Sequence, residues 1–182
     1  VMLYAKWTPV NYSITYNLDG GTATGNPTSY NIETATFTLN NPTKTGYTFT
    51  GWTGSNGSTA STSVSIAKGS TGNKNYTANW QPVNYNITYT LNGGSVTGNP
   101  ITYNIETATF TLKNPTRTGY TFTGWTGSNG NTASISVSIA KGSTGNKEYT
   151  ANWKINQYPV TYIDIDENGN ELGRTTKQIN YD

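Results

Sequence analysis

The feature that most constrains the fold is a tandem repeat of constant period. Trp7, Trp80 and Trp153 are evenly spaced, and residues 8–80 align with residues 81–153 without a gap. About four positions in five are identical between the two segments. Self-similarity at a fixed period, here about 73 residues, indicates tandem structural units. Because each unit is long enough to bury a small core, residues 8–80 and 81–153 are predicted to be two repeat domains.

The repeat pattern continues at both ends of the chain. Residues 1–7 match the end of the first unit, residues 74–80, and are predicted to be the last strand of a preceding repeat. Residues 160–162 lie one full period after Ile87-Thr88-Tyr89. Residues 154–182 are therefore predicted to be the first strands of a truncated, diverged third domain.

Apolar and polar residues alternate with period two within each unit, which predicts β-strands. Ala108 and Ile135 are among the residues predicted to face inward. No stretch shows a sustained helical period, and helix-like turns are expected only near residues 95–102 or 140–145. The predicted fold class is mostly β. In the second unit the predicted strands cover residues 85–91, 107–112, 135–139 and 149–153, and a further strand starts with Tyr120 and Phe122.

Composition excludes several classes of function. Charged residues make up 11% of the chain and the net charge is +2, so no basic surface for nucleic acid is expected. The absence of Cys and His excludes thiol nucleophiles, disulfides and Ser-His pairs, and it also removes the usual zinc ligands. We therefore expect neither an enzyme nor a bound cofactor. No apolar run approaches the roughly 20 residues that span a bilayer, so membrane insertion is not expected.

Four motifs in a fixed order resemble one known family. In the second unit they are a strand ending in Gly93-Gly94, Asn-Pro-Thr-Arg at 114–117, Gly-Tyr-Thr-Phe-Thr-Gly-Trp at 119–125 and Tyr-Thr-Ala-Asn-Trp at 149–153. This order resembles the internalin-type B-repeat, also called the Listeria-Bacteroides repeat. The resemblance implies small β-grasp-like modules, each one period long, in tandem on the bacterial cell surface or cell wall. It implies no catalytic residues.

The C-terminal segment allows two interpretations. Residues 160–171 resemble the opening of a mucin-binding-protein repeat. Asp164, Asp166, Asn168 and Gly169 match the start of a D-x-D-x-N-G calcium loop, but the twelfth position is Thr175 rather than the bidentate Glu. Asn168-Gly169 between alternating strands also predicts a hairpin turn, which is the favoured interpretation.

Trp52 and Trp125 are the first candidate binding residues. Each ends a Gly-Tyr-Thr-Phe-Thr-Gly-Trp motif, and an indole beside glycine on an exposed edge is suited to stacking on a sugar ring. Alternatively, a β-bulge near Gly124 would turn the indole into the core, where it would supply much of the apolar area of a small domain. The core interpretation is favoured over the ligand platform.

A second candidate is an amide crosslink. A buried carboxyl can promote a bond between Lys and Asn, and Glu33 and Glu106 recur together with Lys68 and Lys141 in the two units. The alternative, which is favoured, is that these side chains are simply solvated. One recurring Glu is also too few for the carboxylate pair that a glycosidase needs.

These observations predict a non-catalytic repeat region of a bacterial surface protein that acts as the stalk or spacer of an adhesin. The first alternative is an adhesive module that binds glycan, mucin or a host surface protein, with repetition adding avidity. The second is self-association, in which residues 2–7 add as a strand to the sheet of a neighbouring molecule.

Overall fold

The computed structural model describes residues 2–181, and within that range the chain contains strands, turns and loops but no helix. It divides into two compact units at the boundary between Val83 and Asn84. The first unit contains one repeat, and the second contains the other repeat together with the C-terminal strands.

Each repeat contains seven strands. In the first repeat they are β1 (Tyr12–Asn17), β2 (Ser29–Tyr30), β3 (Phe37–Thr38), β4 (Tyr47–Gly54), β5 (Gly57–Ser61), β6 (Ser65–Ile66) and β7 (Lys74–Pro82). In the second repeat they are β8 (Tyr85–Thr90), β9 (Thr102–Tyr103), β10 (Phe110–Thr111), β11 (Tyr120–Gly127), β12 (Gly130–Ser134), β13 (Ser138–Ile139) and β14 (Lys147–Ile155).

Five strands of each repeat form one mixed sheet. Its order in the first repeat is β2–β1–β7–β4–β5, and the second repeat has the same order as β9–β8–β14–β11–β12. The first and last strands of each repeat, β1 with β7 and β8 with β14, are neighbours at the centre and run parallel. The other pairs in each sheet are antiparallel. The predicted class, tandem β-grasp-like repeats, is confirmed. In the first repeat, the connections between β2 and β4 and between β5 and β7 carry the short strands β3 and β6 rather than a helix.

Each repeat buries its own core between the five-stranded sheet and the short pair, which is β3–β6 in the first repeat and β10–β13 in the second. The eight core residues are identical in the two copies, so sequence differences between the repeats fall outside the core. The core residues are Ile14, Tyr30, Leu39, Trp52, Val64, Ile66, Tyr76 and Ala78 in the first repeat, and Ile87, Tyr103, Leu112, Trp125, Val137, Ile139, Tyr149 and Ala151 in the second.

A β-bulge in β4 and β11 places the tryptophan of the repeated motif. Simple alternation from Phe122 would point Trp125 to the opposite face of the sheet. However, Phe122 pairs with Trp153 and Gly124 pairs with Asn152, so β11 advances two residues while β14 advances one. The extra residue reverses the alternation and brings Phe122 and Trp125 to the same side, with ring centroids 5.4 Å apart.

The C-terminal residues form an antiparallel hairpin of β15 (Gln157–Ile165) and β16 (Glu171–Asn180). Its side chains are largely exposed. The hairpin is joined to the second repeat through Asn156, whose N–H donates to the Gly119 carbonyl and whose carbonyl accepts from Tyr181 N–H, both at 2.9 Å. The Tyr181 ring lies directly against Gly119, where any side chain would collide with it.

Expectations about strands had different outcomes. Residues 2–7 pair with no strand of either repeat, so their assignment to a preceding repeat stays a prediction; Val1 lies outside the described residues. Ile135, with 63% exposure, and Ala108 face solvent, because only Ser138–Ile139 and Phe110–Thr111 pair as strands there. The edge strands β5 and β12 were missed, although the Asn129-Gly130 turn that begins β12 is a hairpin signal.

Candidate functional site

Trp52 and Trp125 are core residues with 0% exposure. The Trp52 indole packs against Tyr16, Phe49 and Tyr76, with ring centroids 5.4–6.3 Å away, and Trp125 has the same neighbours in the second repeat. Because neither indole has a face open to solvent, a sugar ring has no surface on which to stack. The ligand-platform interpretation therefore does not hold in this structure, and the core interpretation does.

Burial of these two indoles carries a cost. Neither Trp52 Nε1 nor Trp125 Nε1 has a hydrogen-bond acceptor among the described residues. An unsatisfied buried donor costs about 1–3 kcal/mol. Burying the roughly 150–250 Å² of an indole stabilises the fold by about 4–6 kcal/mol at about 25 cal/mol per Å². The apolar gain exceeds the polar cost, so the core tolerates the unpaired N–H groups.

The tryptophan that closes each repeat has a different role. Trp80 Nε1 donates to the Leu18 carbonyl at 3.1 Å, and Trp153 Nε1 donates to the Leu91 carbonyl at 3.0 Å. Gly21 lies flush against the Trp80 ring, since a Cβ at that position would come within 2.5 Å of it. The second glycine of the Gly-Gly motif is therefore required for packing against the closing tryptophan.

The predicted crosslink residues lie at the surface. Glu33 and Glu106 are exposed, as are Lys68 and Lys141. The backbone N–H of Glu33 donates to Asn31 Oδ1 at 3.0 Å, and Glu106 has the same contact with Asn104, so these glutamates belong to exposed turns. An amide-forming reaction needs a buried carboxyl, and the exposed glutamates do not provide one. The structure therefore favours the solvated interpretation.

The Asp166 carboxylate caps the turn of the C-terminal hairpin. Its Oδ1 accepts backbone N–H bonds from Asn168 at 2.9 Å and Asn170 at 2.8 Å, and its Oδ2 accepts from the Asn170 side chain at 2.9 Å. These hydrogen bonds hold the pKa of Asp166 below its usual value, and the bond from the Asn170 side chain contributes most. Asp164 lies in β15, opposite Gly173. The residues of the predicted calcium loop thus form the predicted hairpin turn, and no group of three or more acidic side chains able to hold a metal ion occurs among residues 2–181.

Tyrosines that lie in or against the two cores are the main perturbed ionisable groups. Burial, followed by the neighbouring Tyr76, raises the pKa of Tyr16 to about 12, and burial together with Tyr149 does the same for Tyr89. Their hydroxyls donate to backbone carbonyls, Tyr16 to Pro27 and Tyr89 to Pro100, both at 2.9 Å. These groups are structural, because each lies within the packing of its own repeat.

The second unit carries an open groove of about 590 Å³ where the hairpin joins the repeat. We call it the hairpin groove. Its lining combines a cation, amides and an aromatic ring: Lys154, Asn156, Gln157, Gln178 and Tyr158, with Thr121 on the sheet side. Thr121 donates to Asn156 Oδ1 at 2.6 Å, and no ion-pair partner of Lys154 is found in the part of the chain that the structure describes. Sequence patterns gave no sign of this groove, since its residues meet only through the position of the hairpin.

A smaller groove of about 340 Å³ lies within the second repeat. Ser95, Thr97, Thr116 and Asn114 line it, with Lys113 at one side. In the first repeat Asn40 occupies the Lys113 position, and its amide donates to the Thr24 carbonyl at 2.9 Å. This groove lacks an aromatic ring, so it offers hydrogen bonds but no stacking surface.

Comparison with known families agrees with this architecture. The family model of the Listeria-Bacteroides repeat domain matches residues 12–79 and 85–152, which correspond to the two repeats of the structure. The comparisons with curated proteins and with solved structures gave no match. In the described part of the chain, no helix is long and apolar enough to cross a bilayer. Repeats of this family are generally found in bacterial surface proteins and are not known as enzymes. The chain belongs to the Listeria-Bacteroides repeat family and contains two copies of its domain.

Proposed function

We propose that the two repeats are spacer modules in the stalk of a bacterial adhesin, outside the cell, and that they carry no catalytic site. The observation that carries the proposal is the pattern of identity between the copies. All eight core residues are the same in both repeats, whereas exposed positions such as Ser13 and Asn86, or Thr62 and Ile135, differ. A spacer needs a stable core and tolerates change at its surface.

The distribution of polar groups supports the same role. No charged residue is buried within residues 2–181, so neither core contains a charge whose burial would need a functional explanation. At the surface, Thr, Ser and Asn outnumber charged residues. Such a surface contains few groups that would bind an unintended ligand tightly.

A surface-display experiment tests the spacer role. The full chain is placed between a known binding head and a cell-wall anchor, and the capture of cells by an immobilised receptor is measured. We expect capture to fall when both repeats are deleted. We also expect an unrelated β-domain pair of equal length to restore it fully. Capture that returns only with the native repeats, or that persists after the head is removed, would contradict the proposal.

The hairpin groove supports a second candidate, an adhesive site for glycan. The exposed ring of Tyr158 is suited to stacking on a sugar, and the side-chain amides of Gln178 and Asn156 are suited to hydrogen bonds with its hydroxyl groups. The Lys154 ammonium is suited to an ion pair with a carboxylate of the glycan. Lys154 occupies the position of Gln81 in the first repeat. We expect Lys154→Gln to abolish binding of the chain to acidic glycans on an array, with Lys6→Gln as the control. If the unmodified chain and the Lys6→Gln control both bind no glycan on the array, this candidate is ruled out.

A further inference from the structure

We propose that each repeat is a force-bearing module whose mechanical clamp is the central parallel strand pair, β1–β7 in the first repeat and β8–β14 in the second. The inference gives the proposed spacer role a physical mechanism. It concerns the folded repeat itself, so it can be tested apart from the role on the cell.

The clamp follows from where the chain enters and leaves each sheet. The first repeat begins its sheet at Tyr12 in β1 and ends it at Pro82 in β7. Because the two strands are parallel, these two points lie at opposite ends of the pair. Tension along the chain therefore pulls β1 and β7 in opposite directions along their axes. This loading is shear, and the residue pairs from Ile14–Lys74 to Asn17–Thr77 share the force together.

The second repeat repeats this geometry. There β8 pairs with β14 from Ile87–Lys147 to Thr90–Thr150, in the same parallel register. In an antiparallel pair of terminal strands, the entering and leaving points would lie at the same end. Tension would then separate one residue pair at a time, which needs less force.

Further hydrogen bonds cross the clamp between the regions of β1 and β7. Ser13 N–H donates to Asn73 Oδ1 at 2.9 Å, just before β7, and the Trp80 indole N–H donates to the Leu18 carbonyl at 3.1 Å beyond the other end of β1. The equivalent bonds in the second repeat join Asn86 to Asn146 at 2.9 Å and Trp153 to Leu91 at 3.0 Å. Bonds at both ends of the clamp oppose sliding of one strand past the other.

β7 is also held on its second side. It pairs antiparallel with β4 from Tyr47–Pro82 to Gly54–Tyr76, so it is not an edge strand that tension can peel away. The short edge strands β2 and β5 lie outside the path that joins the two chain ends. The proposal therefore assigns the load to the sheet centre and not to its edges.

Pulling experiments with defined attachment points test the clamp. The chain contains no cysteine, so two introduced cysteines are the only attachment points. Ser13→Cys with Gln81→Cys loads β1 and β7 in shear, whereas Ser13→Cys with Thr71→Cys pulls both strands from the same end. All three positions are exposed. We expect a several-fold higher unfolding force for the shear pair in single-molecule force spectroscopy. Equal forces, or a lower force in shear, would overturn the proposal.

A pair of asparagine substitutions separates mechanical from thermodynamic effects. Asn73→Ala removes the acceptor for Ser13 N–H across the clamp, and Asn56→Ala removes the 2.8 Å bond from the Asn56 amide to the Trp52 carbonyl, away from the load path. We expect a lower unfolding force only for Asn73→Ala when both variants are pulled in shear. Equal loss of force in both would overturn the proposal, and melting curves recorded first establish that each variant is folded.

Discussion

At the residue scale, tyrosine supplies the ionisable groups of each core. Tyr30 and Tyr76 are buried in the first repeat and Tyr103 and Tyr149 in the second. Burial raises the pKa of all four, because a phenolate is poorly solvated in the core. The chain has no His. Its core is therefore sensitive to alkaline conditions rather than to pH near neutrality.

We predict that stability is lost between about pH 10 and 12. Tyr89 has an ordinary pKa of 10.0 when unfolded and about 12 when folded. Above pH 10 the unfolded chain therefore binds fewer protons than the folded chain, and the free energy of unfolding falls as pH rises. Tyr89→Phe should reduce this loss by about 1–2 kcal/mol, allowing for solvent at the half-buried ring. Urea unfolding at a series of pH values measures it, and Tyr162→Phe in the exposed hairpin is the control. An unchanged slope in Tyr89→Phe would contradict the prediction.

At the element scale, the bulge of β4 and β11 is the feature that sets the core. Gly124 lies at the bulge with φ of 135°, a conformation that side chains disfavour. A Cβ there would come within 2.5 Å of the Ser134 backbone nitrogen in β12. The glycine therefore has two roles: it adopts the positive φ of the bulge, and it leaves room for β12 to approach closely.

Substitution of Gly124 tests this role against a glycine without the close contact. Gly130 has φ of 105°, but a Cβ there would meet nothing within 4 Å. We expect Gly130→Ala to cost about 1–3 kcal/mol from backbone strain alone. Gly124→Ala should cost at least about 2 kcal/mol more, because the β11–β12 pair must also shift. Chemical denaturation of the full chain measures both free energies, and equal losses would show that the contact contributes nothing.

At the scale of the whole molecule, the two repeats have separate cores. No core residue is shared between the two clusters, and each cluster draws on the strands of one repeat. Each repeat is therefore expected to have an intrinsic stability of its own.

Calorimetry of single tryptophan variants tests this independence. Trp52→Ala removes a fully buried indole and should destabilise the first repeat by about 3–5 kcal/mol. The full chain should then show one transition at lower temperature and one unchanged, and Trp125→Ala should give the mirror result. A common shift of both transitions would show that the repeats unfold as one unit.

A surface substitution provides the matched control. Ile135 is exposed, and Ile135→Thr introduces the residue that the first repeat has at this position. This variant should change the free energy of unfolding by no more than about 0.5 kcal/mol.

The sequence by itself determined the period and the β character, and it favoured a core position for Trp52 and Trp125. These features follow from local patterns: even spacing, alternation over a few residues, and a glycine placed where a bulge reverses the alternation. Local patterns also predicted the Asn168-Gly169 turn, which the structure places between β15 and β16. They failed at Ile135 and Ala108, because alternation alone does not say whether a segment finds a strand partner.

Only the tertiary structure decided which strands are neighbours. The parallel contact of β1 with β7 joins the two ends of a repeat, in a register that runs from Ile14–Lys74 to Asn17–Thr77. Strands of the same composition could pair in several orders, and the choice depends on packing one shared core rather than on any local signal. The central clamp follows from that choice, whereas the hairpin groove depends on where the C-terminal hairpin meets the second repeat. The candidate sites therefore became visible only when the non-local pairing was known.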